Sequence, residues 1–260
     1  MRKPQEYLAA SLQRLSEWLP DHACQIDNYT AGNEYVCTVE EDSRGYAYCL
    51  FSYPEIPGKL NETILLVYDE EMNIIADLSG LHCPADVFLK DADVYDEISL
   101  ESDWMYLEYY IAVETFFPEQ AWLLHNQPVP QAVPFIEGQV FLFRNAYVTA
   151  ALRRQGIFRT MLEILRDHIM RDAAGQEDCT MVLSLDPDIA CYGPDAKDEP
   201  YYYNYEKDEP DRIRNRTVAE HTGFEPVKLE LIEPVSDDDG TKIWFAVRHE
   251  RDMIIETESQ

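Results

Sequence analysis

Six arginines and a glycine crowd into one stretch, FRNAYVTAALRRQGIFRTMLEILRDHIMR, running from Phe143 to Arg171. Arg144, Arg153, Arg154, Arg159, Arg166 and Arg171 face only two acids there, Glu163 and Asp167, in a chain of formal net charge -29. The stretch reads as an apolar strand, a short turn and an amphipathic helix with Phe158, Met161, Leu162, Leu165 and Ile169 on one face. A helix start exposes N–H groups with no intrahelical acceptor and carries partial positive charge. Arginines are therefore out of place there, by about a few tenths of a kcal/mol each, unless an anion is bound. Gly156 lets a ligand approach the backbone and permits an unusual φ. The chemistry suggested is a phosphate or pyrophosphate cradle. The plainer alternative is that the arginines pair with carboxylates elsewhere in the chain and Gly156 serves a turn. Neither GK[ST] nor GxGxxG is present, so this is not one of the common nucleotide loops.

The elements that must position this stretch follow from periodicity. Residues 4–19 form an amphipathic helix on Leu8, Leu12, Leu15 and Leu19, stopped by Pro20. Strands are expected at Glu34–Glu40, Tyr46–Tyr53, Thr63–Tyr68 and Asn73–Asp77, the last two joined by the acidic turn DEEM. From Cys83 to Leu100 the periodicity is lost and a loop is expected. A second helix spans Trp104 to Glu114 and ends at Pro118, and Pro128, Pro130 and Pro134 mark an extended linker. Beyond it come a strand at Gln139–Val148, a helix from Arg154 to about Ala173 and a strand at Thr180–Leu185. A long tyrosine-rich loop follows, then a short helix IRNRTVAEH ended by Gly223, and a hairpin of PVKLELIE with KIWFAVRHE.

Composition narrows the function. With 260 residues, 46% hydrophobic and 12% aromatic, the chain folds around a sizeable core. No apolar run is long enough for a membrane span and the N-terminus lacks a signal-peptide core, so a cytoplasmic protein is expected. Residues 1–135 hold 24 acids against 6 bases, leaving 26 against 15 for the rest. This charge argues against nucleic acid and anionic membrane as partners and suits a cationic one, although solubility alone explains it equally well. The six cysteines show no metal-ligand spacing, so no metal site and buried free thiols are expected.

AYVTAALRRQGIFRTMLEIL (Ala146 to Leu165) resembles motif A of the GNAT acyltransferase superfamily, a strand ending in Val followed by an R/Q-x-x-G-x-G/A turn and a helix. Val148 leads to Arg153, Gly156 takes the middle glycine, and Phe158 replaces the second small residue. NRTVAEHTGFEPV (Asn215 to Val227) resembles motif B of the same superfamily, and the two motifs fall in the family's order. The resemblance implies an α/β (α+β) fold with a mixed, mainly antiparallel sheet, flanking helices and an elaborated N-terminal half. It divides the chain into an N-terminal α+β region (1–135) that includes early GNAT strands plus an insertion, or else forms a separate α+β domain, a core that binds acetyl-CoA (136–250) and a tail (251–260).

Its functional implication is acetyl transfer from acetyl-CoA to an amine, on a small-molecule or peptide acceptor, by direct attack. Ala146, Tyr147 and Val148 would line the acyl and pantetheine arm, the Val148 N–H polarising the thioester carbonyl. Arg154, Gln155, Gly156, Ile157, Phe158 and Arg159 would wrap the pyrophosphate, with Arg153 or Arg144 reaching the ribose phosphate and Asn215 the pantetheine. The position where many members carry an acidic tyrosine is Ala219. His221, two residues on, is then a candidate acid, unless it serves only as a helix-end cap or surface group. Ser184, Asp186 and Asp188 are candidates for the base, Asp186 foremost, unless Asp186 and Asp188 merely build a turn around Pro187. The alternative function is a GNAT-fold module that binds CoA but has lost catalysis.

Overall fold

The central strands are buried on both faces and belong to a single sheet. The computed structural model describes residues 4–18, 36–84, 87, 91, 94, 138–172, 178–184, 205–228 and 244–251. Helix α1 (Pro4–Trp18) leads into β1 (Val36–Glu41), β2 (Ala47–Ile56), β3 (Leu60–Tyr68) and β4 (Ile74–Pro84). Strand β5 (Gln139–Val148), helix α2 (Ile157–Asp172) and β6 (Asp178–Ser184) follow, then α3 (Tyr205–His221), β7 (Glu225–Lys228) and β8 (Trp244–Arg251). The expected second helix and proline-spaced linker, and the boundary near residue 135, lie outside the described residues.

The eight strands form one sheet in the order β1-β2-β3-β4-β5-β6-β8-β7. Every pairing is antiparallel except β5 with β6, which is parallel and is bridged by α2. The fold is thus mixed and mainly antiparallel with flanking helices, as expected. Strands from both halves of the chain share the sheet, because β4 pairs with β5 from Pro84↔Gln139 to Ala76↔Val148.

Among the described residues, two cores cover the faces of the sheet. On one face Ile157, Met161, Leu162, Leu165 and Ile169 of α2 bury against Tyr48, Leu50, Leu65, Val67, Leu78, Phe141 and Phe143. On the other, Tyr7 of α1 joins Cys49, Phe51, Tyr53, Ile64, Leu66 and Tyr68. The α1 stripe sits one residue from the one expected: Tyr7 and Ser11 are buried, Ser11 bonding the Tyr68 hydroxyl at 3.0 Å, while Leu8 and Leu12 are half-buried beside them. Four cysteines, Cys37, Cys49, Cys83 and Cys179, are free thiols, three of them buried.

Three expected boundaries move for physical reasons. Strand β4 runs seven residues past Asp77, to Pro84, and takes the start of the expected loop into the sheet. It is buried on both faces, so LSGLHC shows no alternation. Helix α2 starts at Ile157 rather than Arg154, because Arg154 (φ 67°) and Gly156 (φ 78°) adopt left-handed backbone. Helix α3 starts eight residues before the expected Ile213, within the stretch expected to be loop; its charged sequence around Pro210 has no apolar stripe to betray it. Its end is as expected: Phe224 N–H reaches Ala219 O at 3.0 Å and Gly223 N–H reaches Glu220 O at 3.2 Å, a Schellman closure that also packs Phe224 into the core.

Gly80 sits where the β4–β5 register shifts, and a Cβ built there would meet Leu142 O at 2.3 Å and the Phe141 ring at 2.6 Å. Backbone on one side and a packed ring on the other leave no room to give. Gly80→Ala is therefore expected to destabilise the fold by about 2–3 kcal/mol in urea unfolding.

A second expectation concerns acid. His82, 2% exposed on β4, contacts Asn61 Nδ2 and Thr63 Oγ1 at 3.2 Å each and meets the His168 ring edge-on at 5.9 Å. Burial, and then the charge of His168, lowers its pKa from 6.5 to about 3. Below pH 6.5 the unfolded chain takes up a proton that native His82 refuses, so stability falls with pH down to about 3. The contribution to the slope is about 1.4 kcal/mol per pH unit, and His82→Gln should remove it from a series of denaturant titrations between pH 7 and pH 4.

Candidate functional site

The site begins where β5 loses a neighbour. Strand β6 pairs with β5 only from Gln139↔Cys179 to Leu142↔Val182, and then continues alongside β8 to Ser184↔Phe245. Strand β5 stays on β4 for six more residues, to Val148. Among the described residues, about 20 Å of its edge is therefore without a β6 partner. Phe143 stands at the parting point, packed edge-on against Phe141 at 4.8 Å and Phe224 at 6.1 Å, so the α2 side of the gap is floored by aromatic rings.

The backbone of Val148 belongs to this open edge. Thr149 N–H bonds Ile75 O at 2.9 Å, which directs Thr149 towards β4. Alternation along an antiparallel ladder then turns the N–H and C=O of Val148 the other way, into the gap. The Val148 carbonyl is held there by Arg153, whose Nε donates to it at 3.0 Å while the guanidinium lies 5.5 Å from the centre of the Tyr147 ring. Arg153 is thus folded back onto the end of β5. Ala146, Tyr147 and Val148 are all half-buried along this edge.

The gap ends at the turn before α2. Arg154, Gln155, Gly156 and Arg159 are exposed, Ile157 is buried in the core and Phe158 is half-buried against it. Left-handed backbone at Arg154 and Gly156 on either side of Gln155 is the alternation that forms anion-binding nests. The first backbone bond of α2 closes from Thr160 N–H to Gly156 O at 3.1 Å, so the N–H groups of Ile157, Phe158 and Arg159 precede any intrahelical acceptor. No acid stands in the first turn. A Cβ added at Gly156 would find nothing within 4 Å, which leaves its approach open.

A residue outside the sequence motif also reaches this turn. Arg44, in the β1–β2 turn, donates to the carbonyl of Gln155 and binds Asp42 at 2.5 Å and the Tyr48 hydroxyl at 3.1 Å. Burial works against the Asp42 charge, but hydrogen bonds from the Arg44 side chain and backbone and from Tyr46 N–H outweigh it and hold the carboxyl below its usual range. Burial and the Asp42 charge push the Tyr48 hydroxyl up to about 12. No local spacing marks Arg44, since its partner lies 111 residues away.

The remaining candidates are dispersed. Arg144 binds Glu62 at 2.6 Å, and Glu62 also accepts from Tyr53. Strand alternation places Glu62 with Ile64 and Leu66 on the α1 face, so Arg144 is engaged away from the α2 turn. His221 is exposed at the end of α3, where its carbonyl accepts from Arg159 at 3.4 Å. Asn215 lies half-buried on α3, and Ala219 is wholly buried in the core. Ser184 is the last residue of β6, while Asp186 and Asp188 lie outside the described residues. Among the described residues no group of three His, Cys, Asp or Glu is arranged to hold a metal. None of the described helices is long and apolar enough to cross a membrane.

No protein-family profile and no curated protein sequence matches the chain. Solved structures similar to it include acetyltransferases. A mutant of an agmatine N-acetyltransferase shares 12% identity over 72% of this chain and 73% of that one, with a TM-score of 0.37. A nourseothricin acetyltransferase shares 9% over 83% and 84%, with a TM-score of 0.32. A spermidine N-acetyltransferase variant from Vibrio cholerae shares 9% over 73% and 64%, with a TM-score of 0.29. Overlaps of this size leave the geometry of the cleft as the ground for function.

Because nothing crowds Gly156, Gly156→Ala isolates the cost of its backbone conformation. A loss of about 1 kcal/mol is expected in urea unfolding, with no cooperative change in the slope of the transition.

Proposed function

We propose that the chain transfers an acetyl group from acetyl-CoA to the amine of a cationic small-molecule or peptide acceptor. The observation that carries this is the open edge of β5 between Leu142 and Val148, ending beside a left-handed, arginine-bearing turn at the start of α2. A thioester with a long amide-containing arm and a pyrophosphate fits such a path: amides pair with a strand edge, and the anion with a helix start. When bound, the coenzyme supplies the activated acetyl group.

The residues divide the work by position. Ala146, Tyr147 and Val148 offer strand backbone to the arm, and the Val148 N–H is the donor that polarises the thioester carbonyl. Arg154, Arg159 and the N–H groups from Gln155 to Arg159 hold the pyrophosphate, with Arg44 bracing the Gln155 carbonyl from the far side. Arg153 must release Val148 O to join them. Asp186 is the proposed base, with Ser184 and His221 as further candidates for proton handling, and Asn215 the proposed contact to the arm. The acidic surface, at net charge -29, favours a cationic acceptor.

Calorimetric titration with acetyl-CoA tests the donor half, and thiol release over a panel of primary amines tests transfer. Binding is expected, weakened about tenfold or more in the Arg154→Ala, Arg159→Ala double variant without loss of melting temperature. Absence of heat at millimolar acetyl-CoA would overturn the proposal. The burial of Ala219, where the resemblance implies a tyrosine, favours one other reading: a CoA-binding module without turnover, which would bind acetyl-CoA but release no thiol with any amine.

A further inference from the structure

The α1 face of the cleft carries a polar pair that no step above uses. Asp77 of β4 stands directly across from Tyr147, and Asn145 lies two residues before Tyr147 on β5, opposite Ser79. Asp77 is wholly buried and Asn145 is 3% exposed. Neighbouring Ala76 and Leu78 belong to the α2-side core, so alternation turns the Asp77 side chain to the other face. That places it on the side opposite the α2 turn, one residue along the ladder from the Ala76↔Val148 pair.

Asn145 Nδ2 donates to Asp77 Oδ1, and this fixes the orientation of the amide, since its oxygen turned to a carboxylate would be repelled. Asn145 Oδ1 is then a buried acceptor to which nothing donates among the described residues. A buried amide oxygen left without a donor is costly, of order 1–3 kcal/mol, and is retained where something supplies the missing donor. Here the orphan oxygen sits beside a carboxylate, so the missing group has several N–H bonds and a positive charge. A primary ammonium meets both demands, whereas a hydroxyl meets only one.

We propose that Asp77 and Asn145 form an ammonium subsite, in which a protonated amine of the acceptor, separate from the one that is acetylated, is held by the Asp77 carboxylate and Asn145 Oδ1 on the α1 face of the cleft. The proposal rests on the acetyl-transfer reading above and names the group by which that site recognises its acceptor. Donor and acceptor would then approach Val148 from opposite faces of the sheet, the α2 turn holding one and β4 the other.

The test uses the full chain with butylammonium chloride as probe and 1-butanol as its neutral counterpart. The side-chain amide signal of Asn145 in a proton–nitrogen spectrum is expected to shift saturably with butylammonium and not with butanol. Asp77→Asn should weaken that binding about tenfold or more while leaving the calorimetric affinity for acetyl-CoA unchanged. If Asp77→Asn fails to fold, Asn145→Ser, which keeps the carboxylate, should still weaken butylammonium binding about threefold or more, read on backbone signals around Asp77. Equal shifts from butanol, no saturable shift, or unchanged affinity in the folding variant would each overturn the subsite. Acetyl-CoA binding that persists beside such a result would leave the acetyl-transfer reading standing, and butylammonium binding without acetyl-CoA binding would do the reverse.

Discussion

The parting of β6 from β5 after the Leu142↔Val182 pair is the constraint on which the rest of the molecule depends. A strand edge in the middle of a sheet normally satisfies its N–H and C=O groups on both sides. Here β5 keeps β4 for its full length and loses β6 part-way, so the interior of the sheet acquires an edge. The break costs backbone hydrogen bonds and is sustained by packing on either side: Phe141, Phe143 and Phe224 fill the α2 face, and the Arg144–Glu62 ion pair ties β5 to β3 on the other. Arg153 covers part of the exposed edge by bonding Val148 O.

The two faces then take on different chemistry. On the α2 side, left-handed backbone and arginines gather positive potential at a helix start. On the α1 side, Glu62, Asp77 and Asn145 present oxygen. A sheet of this thickness keeps the two fields apart except through the gap, where the anionic donor and cationic acceptor of the proposed reaction would meet without either crossing the potential suited to the other.

What the sequence made legible follows from range. The turn before α2 could be read directly, because its arginines, Gly156 and the apolar face of α2 lie within thirty residues and obey helical spacing. Strand β5 could be read to the residue, since its apolar run is bounded by Gly138 and by the polar turn. Strand β4 could not, because burial on both faces erased the alternation, and Gly80 within it is a point of close strand approach. The early part of α3 was hidden by charge, Arg44 by 111 residues of separation, and the Asp77–Asn145 pair by a register that only the β4–β5 ladder defines. Arg144 lies on the strand that leads into this turn, yet its side chain binds Glu62.

The long reach of Arg44 has a bearing on how the molecule comes into being. The turn that shapes the proposed anion site is braced by a contact spanning 111 residues, and the strand beneath it waits on a β4 partner made more than fifty residues earlier. Contacts of such separation close only after much chain entropy has been spent, so they form late. A nascent chain would complete its first antiparallel meander well before the cleft exists. Ligand affinity should therefore emerge as one of the last properties of the folding molecule.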